Sequence, residues 1–328
     1  MLPVFGIAAI ASVGINGIGA AATPATAPAL HLRSVPHVPI VLDPTPSSPT
    51  LVAATPPPTG GLRAASANAT FVINWDTGFN NNPSAKAAFQ YAVDQWANAI
   101  SSPVPITIDA GFTALGTNVL GSAGPNAVLR DFAGAPLAHT WFPVALANSL
   151  TATDLDPAVA DIGASFSSNF AGFYFGTDGK TAGKVDFASV VMHEIGHGLG
   201  FIGSYDVSNG VGQICCGLDY PLAFDRFATS AGHALTDDPV PSAQLAGDLQ
   251  NNQVQFTGAA AQAAAGGAAK LYSPSPWEPG SSYSHLDEST YPAGDVNSLM
   301  TPAIGANEVI HSPGPIALGI FADTGWNV

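Results

Sequence analysis

Apolar positions fall into a few readable patterns along the chain. The densest is Val190-Val191-Met192-His193-Glu194-Ile195-Gly196-His197-Gly198-Leu199-Gly200-Phe201, an apolar run that predicts a buried helix. Asp186 stands before it as an N-cap, and Gly198 and Gly200 supply its stop. A second helix is predicted over residues 83–100, where Phe89, Val93, Trp96 and Ile100 recur at spacings of four, three and four and so share one face. Pro83 suits its first turn. Strands are predicted at 71–75 and 104–108, and at 160–166 from the alternation around Ile162 and Phe166. A last helix covers 316–323 and closes at Gly325. Two stretches carry no usable period. Residues 110–148 are rich in Gly and Ala, and residues 204–284 read as a long insertion of loop-like composition.

Composition adds limits to this outline. The chain has 328 residues and is 47% hydrophobic, enough for a substantial core. Only 9% of residues are charged, and the net charge of −15 reflects 8 Lys and Arg against 23 Asp and Glu. No basic cluster exists, so nucleic acid and anionic membrane are not expected partners. Residues 1–22 read as the apolar core of a secretory signal ending in small residues, which predicts export. No other run is long enough to span a bilayer. Residues 23–68, rich in Pro, Ala and Thr, read as an extended linker or short pro-segment that packs no core. They contain no cysteine, so no thiolate from them can occupy a metal site. The folded domain is expected over 69–328. The only cysteines, Cys215 and Cys216, are adjacent and can form a vicinal disulfide or remain two thiols.

The chemistry concentrates in His193-Glu194-Ile195-Gly196-His197. At about 3.6 residues per turn, His193 and His197 share a helix face and can bind one Zn²⁺ through their imidazoles. Glu194 lies beside that face, placed to serve as general base rather than as a ligand. A catalytic zinc normally takes three protein ligands. His285, Asp206, Glu278 and Glu288 are the candidates for the third. Asp178, in the turn Gly176-Thr177-Asp178-Gly179, is read as turn chemistry, with Ca²⁺ binding as the alternative.

Ser284-His285-Leu286 followed by Leu299-Met300-Thr301-Pro302 resembles the third ligand and Met-turn of leishmanolysin-like metzincins. The short-spaced metzincin pattern is broken, because the sixth residue past His197 is Gly203. In the leishmanolysin-like arrangement a long insertion precedes the third His, as 204–284 does here. The resemblance implies an α+β zinc-peptidase domain with a twisted mixed sheet, an active-site helix and a C-terminal helix. It implies His193, His197 and His285 as ligands, Glu194 as catalytic base, and Met300 beneath the metal. It further implies a peptide substrate lying along an edge strand, expected to be 162–166, with Tyr283 or Tyr291 as a candidate aid to the oxyanion. The expected function is that of a secreted, monomeric zinc endopeptidase acting on proteins or peptides. The alternatives are a zinc hydrolase of non-peptide amides or esters and a non-catalytic metal-binding surface protein.

Overall fold

A computed structural model describes residues 31–45, 48–54 and 68–328. The segment 1–22, read as a secretory signal, lies outside the described residues. The protein is mixed α+β. Its main sheet is built from β2 (Val38–Leu42), β4 (Phe71–Trp75), β5 (Ile106–Thr113), β6 (Val119–Pro125), β9 (Ile162–Ser167) and a short strand, Ala303–Ile304. Spatial order is Ala303–Ile304, β2, β6, β9, β5, β4. Strands β4, β5 and β9 run parallel, and β6 runs antiparallel to β9.

After the short helix α1 (Thr77–Asn80), helix α2 (Pro83–Ala99) is capped by the Asn82 side chain and buries Phe89, Val93 and Trp96, as its spacing predicts. Helix α3 (Val144–Thr151) follows, and helix α4 (Phe187–Leu199) packs between α2 and the sheet, touching β2, β6 and β9. Every residue of α4 is buried. It must therefore be apolar all round, apart from groups that find partners. Phe79, Phe89, Phe166 and Phe187 meet edge-on or tilted at 5.4–6.3 Å, locking helices to sheet. The C-terminal helix Pro315–Thr324 ends at Gly325, and the Trp326 indole donates to the Leu199 carbonyl at 2.9 Å.

Three findings depart from the sequence reading. First, residues 31–45 and 48–54 do not behave as a linker that packs no core. They form β1 (His31–Arg33), β2 and β3 (Thr50–Val52), and bury Val35, Val38, Ile40 and Val52. Strand β1 pairs with β7 (Val128–Arg130), which pairs in turn with β8 (Phe142–Pro143), and β3 runs parallel to the strand Glu308–Ile310. Proline-rich composition hid strands whose partners supply the pairing. Second, strand 162–166 is not an edge, because β6 and β5 flank it on either side. The antiparallel strand beside it comes from the stretch 110–148 that showed no period. Third, the insertion 204–284 is folded. Strands His233–Ala234, Ala228–Ser230, Val254–Phe256 and Ala269–Lys270 make an antiparallel sheet over buried Leu245, Leu249 and Phe256. Cys215 and Cys216 form a vicinal disulfide.

A candidate metal centre

Helix α4 is fixed at both ends. Asp186 accepts from the Ser189 amide at 2.8 Å and from the Ser189 hydroxyl at 2.7 Å. His311, which no motif singled out, pairs with the same Asp186 oxygen at 2.9 Å and contacts the Tyr91 hydroxyl at 3.2 Å. At the other end Gly200 is left-handed at φ 119°, a conformation that favours glycine.

The fixed helix presents His193 and His197 one turn apart, and His285 meets them from the far end of the insertion. The three Nε2 atoms lie 2.9, 3.2 and 3.3 Å from one another. Each Nδ1 contacts a backbone carbonyl: His193 that of Leu299 at 2.6 Å, His197 that of Phe201 at 2.7 Å, His285 that of Ser281 at 2.7 Å. A carbonyl can only accept, so each Nδ1 carries the proton and each neutral ring turns a bare Nε2 lone pair toward the other two. Three such lone pairs repel unless a cation sits among them. Tetrahedral binding at about 2.0–2.1 Å places ligand nitrogens roughly 3.3 Å apart, close to what is seen. All three rings are fully buried. Burial lowers their proton affinity, taking His193 to about 4 and His197 and His285 well below the usual range, so the rings stay neutral and available to a metal. The donor set fits a metal ion held by His193, His197 and His285.

Glycines make this convergence possible. A Cβ on Gly196 would lie 2.7 Å from the Met300 sulfur, so its absence lets Met300 press against α4 between the two histidines. A Cβ on Gly203 would lie 2.0 Å from the Tyr283 ring. The position where the short-spaced pattern would carry histidine is thus emptied, and the Tyr283–His285 segment passes through. The Gly203 amide donates to the Ser284 hydroxyl at 3.1 Å, fastening the crossing.

Glu194 is fully buried beside the cluster. Burial raises its proton affinity well above the usual carboxyl range, while the amides of Ile40 and Ala123 oppose the rise. Oε1 accepts from the Ile40 amide at 3.0 Å, and Oε2 has no partner. The other candidates for a third ligand stay apart. Glu278 accepts from the Tyr272 hydroxyl, Asp206 pairs with Gln213 in a hairpin, and Glu288 sits by Thr301.

The two tyrosines considered for the oxyanion both have a hydroxyl already in a hydrogen bond. The Tyr283 hydroxyl donates to Asp225 at 2.8 Å, and that of Tyr291 accepts from the Lys270 amide at 3.2 Å. Asp225, which showed no signal in the sequence, gathers Ser204, Leu222 and Tyr283 and so draws the two ends of the insertion together. The carbonyls of Leu299, Phe201 and Ser281 also went unread, since backbone acceptors leave no mark in side-chain identity. Asp178 accepts from Tyr174 and the Lys180 amide, as a turn residue does. A second group, His233 with Asp238 and Asp248, lies at the insertion surface as a His–carboxylate pair network. No helix among the described residues is long and apolar enough to cross a membrane.

Compared with protein-family models, curated proteins and solved structures, the chain gives no match.

Proposed function

We propose that this protein is a zinc-dependent endopeptidase of leishmanolysin-like metzincin type, exported from the cell. The reading is carried by one observation: three Nε2 atoms converge at 2.9–3.3 Å beside a buried glutamate with one unpartnered oxygen. It is supported by Met300 under the histidines, by Gly200 at the end of the motif helix, and by a mixed sheet with an antiparallel strand nearest the site. A purely structural site needs no buried base beside its ligands, which disfavours the non-catalytic alternative. Export rests on residues 1–22 and the low content of charge.

Zinc held by His193, His197 and His285 would supply the Lewis acidity that polarises a scissile carbonyl and acidifies water. The chain's own residues do the rest. The carbonyls of Leu299, Phe201 and Ser281 hold each imidazole in one tautomer and one orientation. The raised proton affinity of Glu194 suits it to take a proton from the attacking water and pass it to the leaving amine. Its two oxygens divide these tasks: Oε2 is free, and Oε1 already faces a backbone nitrogen at 3.0 Å. Met300 and the apolar residues around α4 exclude bulk water, which strengthens every charge interaction inside.

Glu194→Gln is the test. It should keep the metal, measured by elemental analysis, and lose roughly 10²–10⁴-fold in hydrolysis of a protein substrate such as casein. Full activity in the metal-loaded variant removes Glu194 from the mechanism. A panel of non-peptide amides and esters, hydrolysed in preference to casein, would move the reading to that class.

A further inference from the structure

The buried site poses a question of access. His193, Glu194, His197 and His285 are all fully buried, so nothing enters until some piece of the protein moves. The N-terminal arm lies against α4 and Glu194. Strand β2 runs antiparallel to β6, with Val38 opposite Ala123, Pro39 opposite Ser122 and Ile40 opposite Gly121. On its other side it runs parallel to Ala303–Ile304, directly after Met300-Thr301-Pro302. The Leu42 amide bonds the Asn118 carbonyl at 2.8 Å, and the Asp43 amide bonds the Ile304 carbonyl at 3.0 Å. The arm is therefore one strand filling a slot one strand wide, between a sheet edge and the segment after the Met300 turn.

Its register is specific. The Ile40 amide nitrogen stands 3.0 Å from Glu194 Oε1, the spot from which Glu194 would protonate a leaving amine. Ile40 thus holds the place of the residue that follows a scissile bond, and Pro39 the place before it. The Ile40 side chain is 1% exposed and belongs to the main core cluster. Small residues clear the path. A Cβ on Gly121 would lie 2.9 Å from the Glu194 side chain, and one on Gly163 would lie 2.6 Å from the His37 ring. Beside the arm a cavity of about 290 Å³ opens between Val35–Val38 and the insertion residues Tyr205, Cys215 and Trp277.

We propose that residues 35–42 are a resident occupant of the substrate slot, bound in the polarity and register of a substrate. The chain with its arm docked is latent, and the vacated slot takes an extended peptide with an aliphatic residue after the cleaved bond. The proposal rests on the peptidase reading. The arm acts without a cysteine. It blocks by strand addition, main chain to main chain, with the Ile40 pocket setting specificity.

The test uses the full zinc-loaded chain. Ile40→Asp places a charge in an apolar pocket and should expel the arm. Hydrolysis of a quenched peptide with leucine after the scissile bond should rise roughly tenfold or more at unchanged metal content, since the open fraction limits the native chain. A peptide with aspartate there should not respond. Should Ile40→Asp fail to fold, a specific protease site placed at Pro56-Pro57-Pro58 lets the arm be cut from the folded protein, with the same rise expected. A binding readout separates the two readings. A labelled peptide of residues 35–43 should bind the arm-displaced Glu194→Gln chain, and not the Glu194→Gln chain with its arm intact. Binding without turnover by any form would sink the peptidase reading while supporting the slot. Equal hydrolysis by intact and arm-displaced protein, or equal peptide binding by both, overturns the proposal.

Discussion

Residues 31–54 and residues 204–284 share a loop-like composition, yet they are held in opposite ways. Each strand of the arm pairs with something else: β1 with β7, β2 with β6 and Ala303–Ile304, β3 with Glu308–Ile310. No arm strand pairs with another arm strand. The insertion pairs mainly with itself, in a four-stranded sheet over Leu235, Leu245, Leu249 and Phe256, all fully buried. Asp225 ties its two ends together, and the Ala260 and Ala261 amides fasten it to the C-terminal helix by donating to Asp323 at 2.9 Å. A segment that pairs only with others can leave as a unit, taking from the core only its own buried side chains such as Ile40 and Val52. One that carries its own sheet unfolds with the domain. Local stabilities differ within one protein for such reasons. Here the contrast matches two positions, since the arm lies against Glu194 and His285 follows the end of the insertion into the histidine cluster.

The strongest test of that contrast is at His285. His285→Ala should remove the metal and abolish activity, because two helix ligands alone leave the cation under-coordinated. Glu288→Ala should keep the metal, since Glu288 stands at Thr301 and not in the cluster. Elemental analysis after dialysis reads both, and metal retained by His285→Ala would separate the insertion from the site.

Next comes stability. Phe224 is 1% exposed and packs on Phe201, Phe256 and Tyr283, where insertion and α4 meet. Phe224→Ala should cost about 3–5 kcal/mol and lower the main melting transition. Ile40→Ala removes a side chain as well buried, but its cost of about 2–4 kcal/mol falls on arm docking. The main transition should stay in place while cleavage at Arg33 by trypsin speeds up. A shared drop in melting temperature would show that the arm folds with the domain.

These tests touch residues that were unequally visible in the sequence. His193 and His197 could be read from local geometry, since four residues on a buried helix share a face. His285 depended on its pairing with Met300, because no short-range rule joins positions so far apart. Strand β6 could not be read. Val119-Leu120-Gly121-Ser122-Ala123-Gly124 lacks large alternating side chains because Glu194 on one side and His37 on another need the space. The demand of the site erased the period that announces a strand. Strand β2 was masked by Pro39, whose missing donor is tolerated because it lies beyond the pairing with Ala303–Ile304. The helices α2 and α4 were legible because packing and periodicity agree there.

The smallest effects are in pH, and here too the regions should separate. Asp225 is fully buried in the insertion joint, and burial raises its pKa from 3.8 to about 6. The folded state thus binds this proton more tightly than the unfolded chain. Its contribution is complete below pH 3.8 and is lost as pH rises through about 6. Wild-type protein should give up on the order of 1–3 kcal/mol of global stability across that window relative to Asp225→Asn. At the arm the relevant groups are Glu288 and Glu308. Burial raises both to about 7, and the arm's Asp43 pushes each further the same way. Thr301 and the Gly305 amide oppose the rise. When the arm leaves, Asp43 leaves with it, so the docked state holds these protons more tightly than the open one. Docking should therefore weaken as pH rises through about 7, by on the order of 1 kcal/mol. The labelled 35–43 peptide reads this directly on the arm-displaced chain. Its affinity should fall a few-fold between about pH 6 and pH 8, and the same peptide carrying Asp43→Asn should show a shallower fall. A flat profile for the native peptide would mean that Asp43 does not feel Glu288 and Glu308, and that docking is set by main-chain pairing and the Ile40 pocket alone.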